Sequence, residues 1–331
     1  MPEVRRAVTS LEELLAEVTD RVPLDSNGKS GALLERCRIG DRRYVVKHLA
    51  DDGDWSLRAA GVPGGAVVEL WRRGILDDLP SCLLQPIVAI GQDPGDPGVS
   101  VLLMDDVGEH LVPDTGEVLP LGQQEQFLDH MAALHAAFWE TGRDIDVVTP
   151  ERRYTELSPQ MAEAEAALGS THLVPQLVAK GWPLLAEVAP AAAAVVVPLV
   201  REPGPLVAAL AGTPQTFVHG NWKLDNLGTA PDGRTIVLDW ELPGRGVGLS
   251  DVAWYLAINC RRLATSKEDA IAGYRDALER YGVSTDGWWQ RQLDLALLGA
   301  LVQFGWEKAL GGYDDELAWW EDRALRAVPL L

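Results

Sequence analysis

The sequence predicts an α+β protein with two lobes, a small β-rich N-terminal lobe and a larger, mainly helical C-terminal lobe. Up to about residue 105 the chain consists of short runs of β-forming residues separated by turns. After that point, apolar residues recur at helical spacing. We therefore expect residues 1–107 to form the first lobe and residues 108–331 to form the second.

The first lobe is predicted to contain a β-hairpin. Residues 33–39 and 43–49 are rich in β-forming side chains, and the polar pair Gly40-Asp41 between them is typical of a tight turn. A helix is expected over residues 66–76, where apolar side chains recur at helical spacing. Further strands are expected at residues 84–90 and 99–104.

The second lobe is predicted from its helical periodicity. Four apolar residues occupy positions i, i+4, i+7 and i+11, and so share one face of a helix: Phe127, Met131, Leu134 and Phe138. The alanine-rich segments 160–168 and 184–197 are also typical of helices. The last ~75 residues have the same character, and we expect their tryptophans to fill the gaps between helices.

The composition excludes several classes of protein. Of 331 residues, 49 are Asp or Glu and 29 are Lys or Arg, so the formal charge is 29 − 49 = −20. Nucleic acid is not expected as a partner, because phosphate backbones are bound mainly through Lys and Arg. No apolar run reaches the ~20 residues that span a bilayer, and three widely spaced cysteines fit a reduced interior. We expect a cytoplasmic monomer or homodimer that does not bind membranes.

The glycine-containing segment 26–31 is a candidate anion-binding loop. Its small residues allow the backbone to approach a bound anion closely. The piece Gly28-Lys29-Ser30 does not complete a nucleoside-triphosphatase phosphate loop, because that motif requires a glycine where Pro23 stands. The strand–loop–helix context of that motif is also missing.

The strongest chemical signal lies in residues 217–241. Two short apolar segments flank a tight turn there, with Asn226 before the first and Asp239 after the second. Neighbouring strands lie about 4.8 Å apart, so the two side chains are expected to lie close together. An amide oxygen beside a carboxylate suits Mg²⁺, which completes its shell with water and phosphate oxygens. The segment 236–241 is therefore a candidate metal-binding segment.

These blocks resemble those of the aminoglycoside phosphotransferase and choline kinase-like family, which shares the protein-kinase fold. Residues 219–226 read H-G-N-x-x-x-x-N, similar to the family's H-G-D-x-x-x-x-N, and residues 239–241 match its D-x-E. Further likenesses cover most of the chain: the nucleotide loop at Ser26 to Gly31, the lysine Lys47 with its helical partner Glu69, the hinge at Met104-Asp105, and helical signatures at Leu134-His135 and Ser250-Asp251.

The resemblance implies an ATP- or GTP-dependent, Mg²⁺-dependent phosphotransferase that acts on a hydroxyl of a small polar molecule, with cationic and antibiotic-like acceptors included. It implies a nucleotide site made by these residues: Ser26, Gly28, Lys29, Ser30, Gly31, Lys47, Glu69, Met104 and Asp105. The resemblance also implies that Asn226 and Asp239 bind Mg²⁺ and that Lys223 neutralises the charge of the γ-phosphate. Three residues are implied to support the catalytic loop, residues 217–228: His219, Glu241 and Asp251.

One position departs from the family pattern, since Asn221 stands where the family has its catalytic aspartate. An amide can hold the acceptor hydroxyl but has no useful basicity near neutral pH. Four interpretations stay open. The chain is an active kinase that tolerates the amide, with Asp225 as a displaced carboxylate, or an inactive member that binds a nucleotide or metabolite. Otherwise the amide was introduced by engineering, or the fold serves chemistry that needs no hydroxyl deprotonation.

Two alternative functions also stay open. One is a pseudokinase-like nucleotide- or ligand-binding protein, and the other is a kinase of Ser or Thr in a natural-product precursor peptide. The acceptor is expected within residues 140–200 and 255–331. There, an acidic cluster is either a solvated helix face or a cation-accepting rim formed with Trp319 and Trp320; its members are Asp314, Asp315, Glu316, Glu321 and Asp322.

Overall fold

The computed structural model describes residues 8–24 and 30–331, so the predicted loop residues Ser26, Gly28 and Lys29 lie outside the described part. The elements of the first lobe are β1 (Thr9–Ser10), α1 (Leu11–Leu15), β2 (Thr19–Pro23), β3 (Leu33–Ile39), β4 (Arg42–Ala50), α2 (Trp55–Ala60), α3 (Ala66–Arg72), β5 (Leu83–Leu84), β6 (Ile87–Gln92) and β7 (Val99–Asp105). Within the described residues, a six-stranded sheet has the order β1-β6-β7-β4-β3-β2.

The predicted hairpin is confirmed as the antiparallel pair β3 and β4, with Leu33 opposite His48 and Ile39 opposite Arg42. The predicted helix at 66–76 is shorter than expected and ends at Arg72. Gly74 adopts a left-handed conformation with φ 66°, and the chain continues in a single 3₁₀ turn.

The second lobe is mainly helical. Its elements are α4 (Leu121–Ala137), α5 (Pro150–Thr155), α6 (Pro159–Ala167), α7 (Leu173–Val188), α8 (Pro190–Arg201), α9 (Gly204–Ala211), β8 (Thr216–Val218), β9 (Leu227–Thr229), β10 (Thr235–Val237), β11 (Gly244–Gly246), α10 (Gly248–Ile258), α11 (Lys267–Arg280), α12 (Trp289–Leu310) and α13 (Asp315–Ala327). The predicted α+β class is therefore confirmed.

Helix α12 forms the centre of this lobe, and most of its residues are buried. Helices α7, α10 and α13 pack around it. The predicted helix at 184–197 divides into α7 and α8 at Ala189, because Pro190 disfavours the helical conformation of the residue before it. Among the described helices, no single one is long and apolar enough to cross a membrane; α8 and α9 meet that test only as a pair, with a bend of 86° between them.

The two lobes are tied together on one side by helix α2. The Arg58 guanidinium donates to both carboxylate oxygens of Glu165 on α6, at 2.7 and 2.6 Å. His172, just before α7, lies 3.1 Å from the carbonyl of Gly53 in the first lobe. These contacts close one end of the space between the lobes, and bidentate Arg–carboxylate pairs are among the stronger charged contacts in proteins.

Candidate active site

A cleft of about 1100 Å³ lies between the lobes and contains most of the predicted site residues. Its walls come from the sheet of the first lobe, the catalytic loop, α10 and α12. Strands β9 and β10 pair antiparallel, with Val237 opposite Leu227. Asn226 therefore precedes one strand while Asp239 follows the other, as the sequence predicted, and both line the cleft.

His219 is a buried, neutral brace of the catalytic loop. Its Nδ1 accepts from the backbone N–H of Asn221 at 3.1 Å, so the proton resides on Nε2, which donates to the carbonyl of Leu238 at 3.0 Å. Burial lowers the pKa of His219 to about 4, which keeps the ring uncharged near neutral pH. His219 thereby connects the predicted catalytic loop to the candidate metal-binding segment.

Asp251, near the start of α10, fixes the backbone of the same loop. Its Oδ2 accepts from the N–H of His219 and its Oδ1 from the N–H of Gly220, both at 2.8 Å. His135 lies 3.2 Å from Oδ2 and is held in turn by Tyr274 at 2.7 Å. Burial opposes ionisation of Asp251, but the bond from His135 and its other donors hold its pKa below the ordinary value.

Asn221 occupies the catalytic-aspartate position and is almost fully buried. Its side-chain Nδ2 donates to Glu241 Oε2 at 3.3 Å. Its backbone carbonyl accepts from Asn226 Nδ2 at 3.1 Å. Burial, followed by the charge of Asp239, raises the pKa of Glu241 to about 7. The carboxyl group that Asn221 contacts is therefore Glu241, whereas Asp225 is exposed on the loop.

Lys47 reaches across from β4 to the metal-binding segment. Its Nζ lies 2.5 Å from Asp239 Oδ1 and 3.8 Å from Glu241 Oε1. Burial alone would lower the pKa of Lys47, but the two carboxylates raise it above its ordinary value. Asp239 has φ 56°, a strained conformation for a residue other than glycine, and such strain is typical of functional positions.

The expected pairing of Lys47 with Glu69 is not present between these two described residues. Glu69 instead pairs with Arg72 at 2.8 Å and with Arg73 at 3.6 Å, both on its own helix or just beyond it. Val67, two residues earlier on α3, lies in the wall of a small apolar cavity that Lys47 also lines. The face of α3 turned toward Lys47 therefore includes apolar Val67, and the pairing with Glu69 that the family resemblance implied is not made.

The remaining predicted residues lie as follows. Lys223 lines the cleft, where its positive charge favours the ionised forms of three carboxyl groups, Glu156, Asp239 and Glu241; the pKa values of Glu156 and Glu241 are nevertheless raised by burial. Ser30, Met104 and Asp105 line the other end of the cleft. Gly31 has φ 109°, and a Cβ there would lie 2.7 Å from both the carbonyl of Gly53 and the ring of His172. That position therefore requires glycine for close packing between the lobes.

The residues at 226 and 239 fit a magnesium ion by their chemistry. The Asn226 amide nitrogen is already engaged with the backbone at residue 221, which leaves its oxygen as a donor to a cation. Asp239 adds a carboxylate from the adjacent strand end. Among the described residues, no group of three or more His, Cys, Asp or Glu side chains could hold a metal ion. One carboxylate and one amide suit Mg²⁺, which takes its other ligands from water and phosphate.

Sequence reasoning missed two buried carboxyl groups beside the cleft, Asp54 and Glu156. Asp54 caps α2 by accepting from Ser56, and Glu156 follows the last residue of α5. One oxygen of each, Asp54 Oδ2 and Glu156 Oε2, is buried with no hydrogen-bond partner among the described residues. Neither residue belongs to a motif, and only the packing of α2 against α5 brings them together.

Part of the acidic cluster near the C-terminus is engaged by the protein's own groups. Asp314 caps α13, Glu316 pairs with Lys267 at 2.5 Å, and Asp322 pairs with Arg326 at 2.7 Å. The face of Trp319 already carries Lys267 and Arg323, at 4.9 and 5.0 Å from the ring centre. The protein's own cations thus occupy Glu316, Asp322 and the face of Trp319, whereas Asp314 and Asp315 are exposed.

Two lobes around a cleft, with a loop braced by a buried aspartate and a strand-end aspartate facing a lysine, define a protein of the protein-kinase-like fold. The model of the phosphotransferase enzyme family matches residues 36–291. The chain belongs to that family, as the sequence motifs predicted.

Solved structures with the same fold are distant in sequence. A thermostable mutant of aminoglycoside phosphotransferase APH(4)-Ia has 16% identity and a TM-score of 0.50, over 96% of this chain and 97% of that one. Choline kinase LicA from Streptococcus pneumoniae has 14% identity and a TM-score of 0.51, over 97% and 96%. A microcompartment-associated aminopropanol kinase has 14% identity and a TM-score of 0.51, over 96% and 94%. No curated protein matches the chain.

Proposed function

We propose that the protein transfers the γ-phosphoryl group of ATP or GTP, with Mg²⁺, to a hydroxyl group of a small molecule. The observation that carries the proposal is the convergence of Lys47, Asn221, Asn226 and Asp239 on one cleft between the lobes. Phosphoryl transfer requires positioned charge more than covalent chemistry, and these groups supply it.

Each residue has a stated task in this proposal. Lys47 leaves its pairing with Asp239 to hold nucleotide phosphates, while Asn226 and Asp239 hold the metal. Mg²⁺ supplies positive charge to the phosphate oxygens when it is bound. Lys223 neutralises the transferred group, and Asn221 orients the acceptor hydroxyl through its amide oxygen. His219 and Asp251 keep the loop in place.

The proposed transfer needs no strong base. The bond between the γ-phosphorus and the oxygen of the β-phosphate breaks, and a bond from that phosphorus to the acceptor oxygen forms. In a loose transition state the hydroxyl loses its proton late, so the proton passes to a phosphoryl oxygen or to water. The reaction is therefore expected to be slower than one assisted by a general base, which is worth roughly 10²–10⁴-fold.

The related structures support a small-molecule acceptor. One is aminoglycoside phosphotransferase APH(4)-Ia in a ternary complex with ADP and hygromycin B, and others are a choline kinase and an aminopropanol kinase. A second candidate function is a pseudokinase-like protein that binds the nucleotide without transfer, and Asn221 is the observation that favours it. The two functions share the nucleotide site and differ only in turnover.

Calorimetry with Mg²⁺ and the non-hydrolysable nucleotide AMP-PNP tests the proposed site. Wild type and the surface variant Asp276→Ala are expected to bind the nucleotide equally, because Asp276 is exposed on α11. Lys47→Ala and Asp239→Ala are expected to bind at least about tenfold more weakly, since the first removes a cation that holds the phosphates and the second removes a carboxylate that holds Mg²⁺. Negligible heat in all four proteins would contradict both candidate functions.

A further inference from the structure

Glu156 is a buried carboxyl group in the cleft that the proposed chemistry does not use. It lines the cleft, only 5% of it is exposed, and its Oε2 has no hydrogen-bond partner among the described residues. A buried polar atom without a partner costs free energy, so its presence calls for an explanation. A ligand group that binds there would remove that cost.

The charges around Glu156 favour a cation. It feels the negative charges of Glu241 and Asp54 and the positive charge of Lys223. Lys47 compensates Asp239 and Glu241 through direct contacts. Asp54 and Glu156 have no ion pair of this kind in the described part of the chain. One positive charge bound beside Asp54 and Glu156 would therefore be favoured electrostatically.

Aromatic side chains line the cleft on the side of α12, the helix that the end of α5 contacts. Gln303 on α12 donates to the carbonyl of Arg153 on α5 at 3.0 Å, which brings the end of α5 against α12. Phe304 and Trp306 on α12 line the cleft, and Trp254 packs edge-on against Phe304 with ring centres 4.6 Å apart. Such a wall fits an apolar or aromatic group better than a polar sugar.

We propose that the acceptor is an amino alcohol with an apolar body, whose protonated amine binds Glu156 with Asp54 behind it and whose body packs against Trp254, Phe304 and Trp306. This inference rests on the proposed function and names its substrate class. It replaces the small polar molecule expected from the sequence, and it moves the cation site from the C-terminal acidic cluster to the end of α5.

Four probes separate the parts of this proposal, each titrated calorimetrically into the protein loaded with Mg²⁺ and AMP-PNP. Phenylalaninol has the amine, the hydroxyl and an apolar body. N-acetylphenylalaninol lacks the charge, ethanolamine lacks the apolar body, and hygromycin B is a polar polycation. Phenylalaninol is expected to bind at least about tenfold more tightly than each of the others, because both contacts are then made.

Glu156→Gln keeps the shape of the side chain and removes its charge. It is expected to weaken phenylalaninol binding about tenfold or more and to leave N-acetylphenylalaninol unchanged. Asp54→Asn, which preserves the cap of α2, is expected to act in the same direction. Glu163→Gln, at an exposed position on α6, is the matched control and should bind all probes like wild type.

The number of protons released on binding of the amine is a second measurement. A purely structural role for Glu156 would not change that number. Burial and then Glu241 raise the pKa of Glu156 to about 8, so the group is mostly protonated at pH 7. A bound ammonium group would make it ionise. Calorimetry in two buffers of different ionisation enthalpy should therefore show release of about one proton by wild type and none by Glu156→Gln.

Each contrary outcome is distinct. Phenylalaninol binding that is no tighter than that of the acetylated probe, of ethanolamine or of hygromycin B would overturn the proposal, as would binding without proton release. Measurable heat of AMP-PNP binding, together with no binding of phenylalaninol, would overturn the proposed acceptor and leave the proposed function standing. Absence of nucleotide heat would overturn both.

Discussion

Asn221 shows how a single residue can keep its position and lose its basicity. Its backbone N–H is held by His219, and its side-chain amide donates to Glu241 at 3.3 Å. The side chain is thus held at the motif position of the predicted catalytic aspartate, and none of the hydrogen bonds among the described residues engages its amide oxygen. In the proposed mechanism the loop therefore orients the acceptor hydroxyl, and Asn221 does not accept its proton.

Asn221→Asp is expected to raise the turnover number for phosphoryl transfer by about 10²-fold or more, because it restores a general base. The new carboxylate lies beside Glu241, so the metal-free variant should also be less stable than wild type above pH 7. Steady-state kinetics and urea unfolding measure the two effects. Asn221→Ala is the control and should show no gain in rate. An unchanged turnover number in the aspartate variant would favour the pseudokinase-like function.

Glu156→Gln is expected to change how stability depends on pH. The pKa of Glu156 in the folded protein, about 8, exceeds its ordinary value of 4.5, owing first to burial and then to Glu241. The folded state therefore retains a proton that the unfolded state has lost, and wild-type stability falls as the pH rises from about 4.5 to 8. The glutamine variant should gain stability relative to wild type over that range, by on the order of 4 kcal/mol at most.

Urea unfolding in EDTA at several pH values between 5 and 8 measures this difference. The groups that face Glu156 are Glu241, Asp54 and Lys223, and they are the same in both proteins. The control Glu163→Gln should follow wild type throughout. A difference between Glu156→Gln and wild type that does not vary with pH would show that Glu156 ionises normally.

At the scale of the element, the catalytic loop is shaped by α10 and by a short hairpin. Asp251 at the start of α10 binds two successive loop N–H groups. Gly220 has φ 76°, and a Cβ at that position would lie 2.2 Å from the carbonyl of Leu242. The loop therefore depends on glycine at one point and on a buried carboxylate at the next.

Asp251→Asn is expected to lower the free energy of unfolding by about 3 kcal/mol, because one loop N–H then faces an amide NH₂ group and His135 loses its charged partner. It should also weaken nucleotide binding, since the loop carries Asn226. Chemical denaturation measures the first effect. Asp276→Asn, on the exposed face of α11, should stay within about 0.5 kcal/mol of wild type. A loss below that limit in Asp251→Asn would contradict this role.

The elements that local sequence patterns govern were predictable. The hairpin of β3 and β4, the helix α4 and the strands around Asn226 and Asp239 all follow from alternation, helical spacing or a turn signal. The contacts between elements that are distant in the sequence could not be predicted in this way. Glu69 turns to Arg72 instead of Lys47, and Glu156 enters the cleft only because α5 packs on α12. No local pattern encodes which face of α3 or which end of α5 meets the cleft.

At the scale of the whole molecule, the net charge of −20 extends into the cleft. From the sequence, the bound phosphates are expected to meet a cationic cleft floor made by Lys29, Lys47 and Lys223, and Lys29 lies outside the described residues. Among the described residues that line the cleft, ten are Asp or Glu and five are Lys or Arg. The expectation is wrong for this part of the cleft, because Lys47 is compensated by its carboxylate neighbours. A bound nucleotide adds further negative charge, which a divalent cation must offset.

Removal of the metal is therefore expected to weaken AMP-PNP binding by about 100-fold or more. The residual binding in EDTA should become tighter as salt concentration rises, because screening reduces the repulsion between the nucleotide and the acidic cleft. Calorimetry at several ionic strengths, with Mg²⁺ and with EDTA, measures both effects. Equal affinity in the two conditions would contradict the assignment of Asn226 and Asp239 to the metal.

Phosphoryl transfer itself can be followed by phosphorus NMR of ATP and Mg²⁺ incubated with the protein and either phenylalaninol or hygromycin B. The expected result is loss of the γ-phosphate signal, appearance of ADP and a new phosphomonoester signal with wild type, a faster change with Asn221→Asp, and no change with Asp239→Ala. Formation of the phosphomonoester at the wild-type rate by Asp239→Ala would contradict a phosphotransferase at this cleft, whereas its absence with both wild type and Asn221→Asp would contradict the proposed acceptor.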